Sequence, residues 1–401
     1  MPARRSFLVL SLGLLFLAGC TFDDPLTGPE EGARFRRKNR QPPPVADTPT
    51  PISVYGTWHC SDDACLWGAV RDPNEFDQKN HWLIDRDGMG NPSVNLVALS
   101  FVNPWKLLNR TTDTWTLDGV PRGITPEIVA YFKKANVRVM LSIGGITYVE
   151  DWNAALAANA TQLGLNAAEV AKILGVGIEI DYEENRNPDL MGLQAFIDAY
   201  RSMLPYDETG KDHAARLTID LAAGDRWLID LTRHATIHWL ATSNPVLDYA
   251  NAMVPSRQPG SADDAIANWQ EHIDGKPRFD PPIPPLAPAK LAVSLYAVTG
   301  RKPAPECTNF GASLQEATGD YVQTVLPNGA GLTPGVLGFM FWGPESASTR
   351  RISTAPPNSC EGGVGVGAAS FGIPIAMLAL RQDSPGSLAL AAAAASGLTG
   401  S

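Results

Sequence analysis

Between Gly175 and Asn185 the chain reads Gly-Val-Gly-Ile-Glu-Ile-Asp-Tyr-Glu-Glu-Asn, its densest run of groups able to do chemistry. Ile178, Ile180 and Tyr182 alternate with Glu179, Asp181 and Glu183, the two-residue period of a β-strand. Three carboxyl side chains then share one face, spaced roughly 6.6 Å apart along the backbone, so that they can hydrogen-bond in a row. Like charge and loss of water both oppose ionisation of such a set, which keeps at least one proton near neutral pH. A carboxyl group held protonated in this way is what a general acid needs to protonate the oxygen of a breaking glycosidic bond. The competing reading is a solvated acidic strand edge that runs into a loop.

Catalytic acids need a rigid frame, and the flanking sequence supplies short apolar runs that alternate with helical patterns. Strands are expected at Ile52–Trp58, Asn95–Val102, Val137–Gly145, the acidic stretch itself, Leu217–Ala223, Leu247–Val254, Lys290–Ala297 and Val336–Trp342. Helices are expected at Pro126–Ala135, Ala167–Leu174, Asp189–Leu204, Ala262–Ile273 and Leu314–Val325. Eight strands separated by helices over roughly 290 residues predict one α/β domain, a (β/α)8 TIM barrel at 52–355. In such barrels the chemistry sits at the C-terminal ends of the strands, where Gly144, Glu183, Pro255 and Trp342 all fall. The 356–401 segment is expected to hold a closing helix at Ala368–Leu380, then an Ala/Gly-rich tail.

The first 20 residues read as an export signal: Arg4 and Arg5, an apolar run from Phe7 to Ala18, then Leu17-Ala18-Gly19-Cys20. The run is shorter than the roughly 20 residues that span a bilayer. Its ending resembles a bacterial lipobox, which makes Cys20 the lipidated first residue of an exported lipoprotein, attached to the membrane through that lipid alone. Thr21 in the next position favours the outer membrane or cell surface by the same analogy. Residues 21–51 hold Pro42, Pro43, Pro44, Pro49 and Pro51 among polar groups and read as an extended tether.

The whole chain carries a formal charge of −10, and without Arg4 and Arg5 it has 30 basic against 42 acidic side chains. That balance argues against a nucleic-acid partner and suits export and a neutral or basic substrate. Beyond Cys20 stand Cys60, Cys65, Cys307 and Cys360, an even set that in an exported protein suggests two disulfides. Pairing Cys60 with Cys65 and Cys307 with Cys360 is the least tangled of the three arrangements. No further Cys or His stands at zinc-ligand spacing, so no metal site is expected.

The acidic stretch resembles the catalytic strand of glycoside hydrolase family 18, the chitinases and their relatives, whose signature is D-G-x-D-x-D-x-E. Gly177, Glu179, Asp181 and Glu183 take the glycine and the last three acids of that pattern, while Val176 replaces the first Asp and Glu179 the second. Ser142-Ile143-Gly144-Gly145 matches the family's S-x-G-G, about 32 residues earlier. Asp248-Tyr249-Ala250-Asn251-Ala252-Met253 resembles D-x-x-N-x-M of strand six, and Phe339-Met340-Phe341-Trp342 the last strand. The resemblance spans 52–342.

It implies that Glu183 is the catalytic acid, that Asp181 holds the substrate's acetamido group, and that Glu179 shares a proton beneath them. Trp342 would form the floor under the sugar, with Phe101, Asn251 and Met253 at the binding site. Ser142, Gly144 and Gly145 would stand behind the acids, and Tyr55 would orient Glu179. Where the family carries a Tyr-Asp pair, this chain has Pro255 and Ser256, so Tyr296 is the candidate replacement. The implied reaction uses neither metal nor cofactor, and its partner is an N-acetylglucosamine-containing glycan met by a monomer. Only about 38 residues separate Ala297 from Gly335, too few for a large inserted domain, which predicts an open groove. An endo-β-N-acetylglucosaminidase of N-glycans and a catalytically silent glycan-binding lectin are the alternatives on the same barrel.

Overall fold

The computed structural model describes residues 53–61, 72–85, 90, 92, 94–222, 227–240, 245–253, 262–296 and 335–342. Eight parallel strands close into a barrel: β1 Val54–Cys60, β2 Leu96–Val102, β3 Arg138–Gly144, β4 Gly177–Asp181, β5 Leu217–Leu221, β6 Ala250–Ala252, β7 Leu291–Tyr296 and β8 Gly338–Trp342. Each pairs with its sequence neighbours, and β8 returns to β1 through Val54 beside Gly338. The protein is therefore the expected (β/α)8 barrel, with helices filling most of the described crossovers.

Alternation along each strand divides the core in two. Val54, Trp58, Leu96, Ala98, Met140, Tyr249, Ala292 and Met340 form a small inner cluster inside the barrel. The intervening residues, among them Tyr55, Val97, Leu99, Ile178, Ile180, Ile219 and Val293, pack outward under the helices in a much larger cluster.

Local chemistry sets the helix ends. Asp72, Thr125 and Asp189 accept backbone N–H groups at the starts of α1 (Pro73–Asn80), α3 (Pro126–Lys134) and α5 (Leu190–Met203), and proline opens the first two. Between β2 and α3 lie the short α2 (Pro104–Leu108) and a hairpin, Thr116–Leu117 with Val120–Pro121. Helix α4 runs from Val149 to Leu174 through a break at Asn159, whose side chain accepts from Gln162 N and restarts the helix. It ends on Gly175, where a φ of 64° suits glycine, and Lys133 Nζ donates to the Leu174 and Gly175 carbonyls. Helix α6 (Ile229–His234) continues into a π-helical turn at Ala235–Leu240, and α7 covers Ala262–Asp274.

Several expected boundaries move. The acidic strand stops at Asp181, so Glu183 stands in the loop beyond it. Strands five and six are shorter than expected, and the helix expected from Ala167 begins at Val149. Cys20, Cys65, Cys307 and Cys360 lie outside the described residues, as do Pro255, Ser256, the helix expected at Leu314–Val325 and the segments 1–52 and 343–401; Cys60 is described in its backbone alone. Among the described residues no helix is long and apolar enough to cross a membrane.

Candidate active site

The site is built on β4 and its neighbours. Glu179 and Asp181 point into the barrel because Ile178 and Ile180 take the outward face. Register sets Ser142 of β3 beside Glu179 and Gly144 beside Asp181, and Thr218 of β5 on the other side of Glu179. Asp220 of β5 lies opposite Asn251 of β6.

Glu179 is the anchored acid. Trp58 Nε1 donates to its Oε1 at 2.6 Å and Asn251 Nδ2 to its Oε2 at 2.6 Å. Burial pushes its carboxyl up, and the donors from Trp58, Ser142 and Asn251, together with the Asp220 carboxyl, pull it part of the way back. The Ser142 hydroxyl thus lies near Glu179 without making a hydrogen bond of standard geometry.

Asp181 is held well above the ordinary carboxylate range, first by burial and then by the Glu183 and Glu179 charges. Its Oδ1 has no partner among the described residues. Glu183 is 8% exposed, and burial lifts it to about 7, against one opposing contact from the Ile146 backbone N–H. Asp220 is likewise held well above its usual range by burial and by Glu179 and Asp181. The inner wall therefore gathers four acids, not the three of the sequence motif, each biased toward its neutral form.

The rim is fixed by backbone geometry. Gly144 adopts φ +118°, and a Cβ there would stand 2.0 Å from the Asp181 carbonyl and 2.2 Å from Trp152 Nε1. Trp152 of α4 donates to the Ile143 and Asp181 carbonyls at 3.2 Å, tying the ends of β3 and β4 together. Gly145 N donates to the same Asp181 carbonyl, and Phe101 lays its ring against Gly145. Tyr182 points outward against Trp152, its hydroxyl donating to Asn153 Oδ1 and accepting from Asp189 N. Glu184 accepts from Asn153 and from the backbone of Arg186 and Asn187, which braces the loop carrying Glu183.

The predicted residues divide accordingly. Glu179, Asp181, Glu183, Ser142, Gly144, Gly145 and Asn251 come together, with Phe101 at the rim in the irregular register before Val102. Met253 is half-buried just past β6 and packs against the outer core. Trp342 and Tyr296 end β8 and β7 side by side, and their side chains are not among those described. Tyr55 is a correction: Trp58 faces inward on β1, so Tyr55 lies on the opposite face, buried in the outer core, and Trp58 takes the role expected of it. Asp220 and Trp58 went unnoticed in the sequence; a lone acid inside the apolar run Leu217-Thr218-Ile219-Asp220-Leu221 was the available signal. Among the described residues no group of three or more His, Cys, Asp or Glu is arranged to hold a metal ion.

No protein-family model matches the chain, and no curated protein does. Among solved structures, a GH18 chitinase from Pseudoalteromonas aurantia is similar at 15% identity over 73% of this chain and 94% of its own, with a TM-score of 0.47. A family GH18 chitinase from Chromobacterium violaceum aligns at 12% identity over 82% of this chain and 84% of its own, TM-score 0.44. A chitinase from Rhizomucor miehei aligns at 12% identity over 73% and 95% of the two chains, TM-score 0.45.

Proposed function

We propose that the protein is a retaining glycoside hydrolase that cleaves β-1,4 bonds of N-acetylglucosamine-containing glycans, chitin or chito-oligosaccharides. The observation that carries this reading is Glu183, a buried carboxyl at the barrel mouth lifted to about 7 beside Asp181. A general acid is most effective when its pKa lies near the working pH. Glu183 gives its proton to the glycosidic oxygen as the C1–O bond breaks, and the substrate's own acetamido carbonyl oxygen closes onto C1. Asp181 accepts the acetamido N–H and balances the positive charge that develops on the ring so formed. Glu183, now a carboxylate, takes a proton from the water that opens the ring, which restores both enzyme and configuration. Glu179, clamped by Trp58 and Asn251, fixes the row from below.

The test is turnover of defined chitin oligomers against a high-mannose glycopeptide, with wild type and Glu183→Gln side by side. Cleavage of the oligomers by wild type alone supports the reading. Cleavage of the glycopeptide alone moves the protein to the endo-β-N-acetylglucosaminidases, and tight binding of oligomers without cleavage makes it a lectin. We further propose that the chain is exported and held at the outer membrane or cell surface by a lipid on Cys20. Metabolic labelling with a fatty-acid analogue tests this, and an unlabelled Cys20 overturns it.

A further inference from the structure

We infer that Asp220 is the protonated member of a carboxyl pair with Glu179, a positioning residue that adds a fourth acid to the row and keeps Glu179 as the anion of that pair. This rests on the glycosidase reading for its consequence in turnover, and on geometry for the pair itself. Asp220 is 1% exposed on the strand next to β4, in register with the Asn251 that donates to Glu179. It lies within hydrogen-bond reach of both Glu179 and Asn251, and its Oδ1 has no partner among the described residues. Both Glu179 oxygens already accept N–H groups, from Trp58 and from Asn251. Two carboxylates in contact in a closed interior cannot both ionise without a cation, and one of them must carry hydrogen. Because Glu179 holds the N–H donors, it is the anion, and Asp220 supplies an O–H to it.

The surrounding charges agree. Facing Asp220 are Glu179 and Asp181 from β4 and neutral Asn251 from β6. Arg216 stands four residues earlier in the chain, roughly 13 Å back along the strand, where it pairs with Asp248. Arg138 opens β3 four residues before Ser142, the residue beside Glu179. Neither guanidinium is among the groups that act on the Asp220 carboxyl.

The experiment compares wild type, Asp220→Asn and Asp220→Ala. Asparagine is an isosteric neutral donor, so it imitates the protonated acid and not the anion. Thermal stability is followed between about pH 5 and pH 9. An acid kept neutral by the fold but ionised in the unfolded chain costs more stability as pH rises, so the Tm of Asp220→Asn should gain on wild type steadily with pH. Parallel curves overturn the inference. This arm needs no turnover, so it stands if the glycosidase reading fails, and it decides alone if Asp220→Ala does not fold. In turnover, Asp220→Asn should stay within about threefold of wild type while Asp220→Ala falls at least about tenfold in kcat with KM little changed, the loss of one hydrogen bond to a charged group. An Asp220→Asn as slow as Asp220→Ala means that Asp220 works as an anion, and that also overturns it.

Discussion

Buried aspartates at the two ends of the same barrel are held in opposite ways. At the N-terminal end, Asp248 receives Arg216 Nη1 at 3.0 Å, Arg201 Nη2 at 3.1 Å and the Leu217 backbone N–H at 2.7 Å. At the C-terminal end, Asp181 and Asp220 have other acids for neighbours, and each keeps one oxygen without a partner among the described residues. A fold that sets two guanidiniums on a buried carboxylate at one end gathers four carboxyls at the other, with no cation paired to them among the described residues. Buried ionisable groups without partners cost stability. Their concentration at the C-terminal end of the barrel, opposite the ion-paired Asp248, is what supports the proposed reading of the upper set as the working one.

The contrast predicts that substitutions at the two ends fail differently. Glu183→Gln should lower turnover by about 10²- to 10⁴-fold, the size of a lost general acid, while leaving the circular dichroism spectrum and glycan binding intact. Unchanged turnover would remove Glu183 from the role. Asp248→Ala should do the reverse, because it takes the shared carboxylate from two guanidiniums, one of them 2% exposed. A loss of about 3 to 5 kcal/mol in chemical denaturation is expected, with the remaining folded protein still active. If Asp248→Ala proves as stable as wild type, the division of labour between the two ends is wrong.

How much of this could be read from the chain depends on which interactions are local. The barrel was legible because alternating apolar runs must become strands with one face inward, and the β4 acids were legible because they are two apart in sequence. Their count was not. Asp220 is a single acid in an apolar strand, and it joins the row only through the register of β5 against β4 and β6. Tyr55 failed for a related reason: on a strand, a one-residue choice of face exchanges every inward side chain, and nothing local distinguishes Tyr55 from Trp58. The first half of α4 was missed although Ala154, Ala155, Leu156, Ala157 and Ala158 favour helix, because Asn159 breaks the run and the helix resumes only beyond it, packed against α5.

A smaller effect sharpens the comparison through pH. Glu183 titrates near 4.5 when unfolded and about 7 when folded, a difference of roughly 3 kcal/mol. A raised folded pKa means that the group's contribution is fully present below about pH 4.5 and is lost as pH rises through about 7. Glu183→Gln should therefore gain stability over wild type across that window and hold the gain above it. Wild-type turnover should fall above about pH 7 as the same proton leaves. A Glu183→Gln that tracks wild type in stability at every pH would show the carboxyl to be solvated.

Trp58→Phe carries the smallest of these effects and asks most directly what stands in for the missing cation. The indole N–H is one of two strong donors to Glu179, and phenylalanine removes it while keeping an aromatic ring. A hydrogen bond to a charged group is worth about 1.5 to 3 kcal/mol, part of which Glu179 recovers by holding a proton of its own. A net loss of about 1 kcal/mol near neutral pH is expected, shrinking as the pH falls and the Glu179 carboxyl becomes neutral. A Trp58→Phe penalty that stays constant with pH would mean that Glu179 remains an anion without the indole, and that Asn251 and Asp220 suffice to hold it.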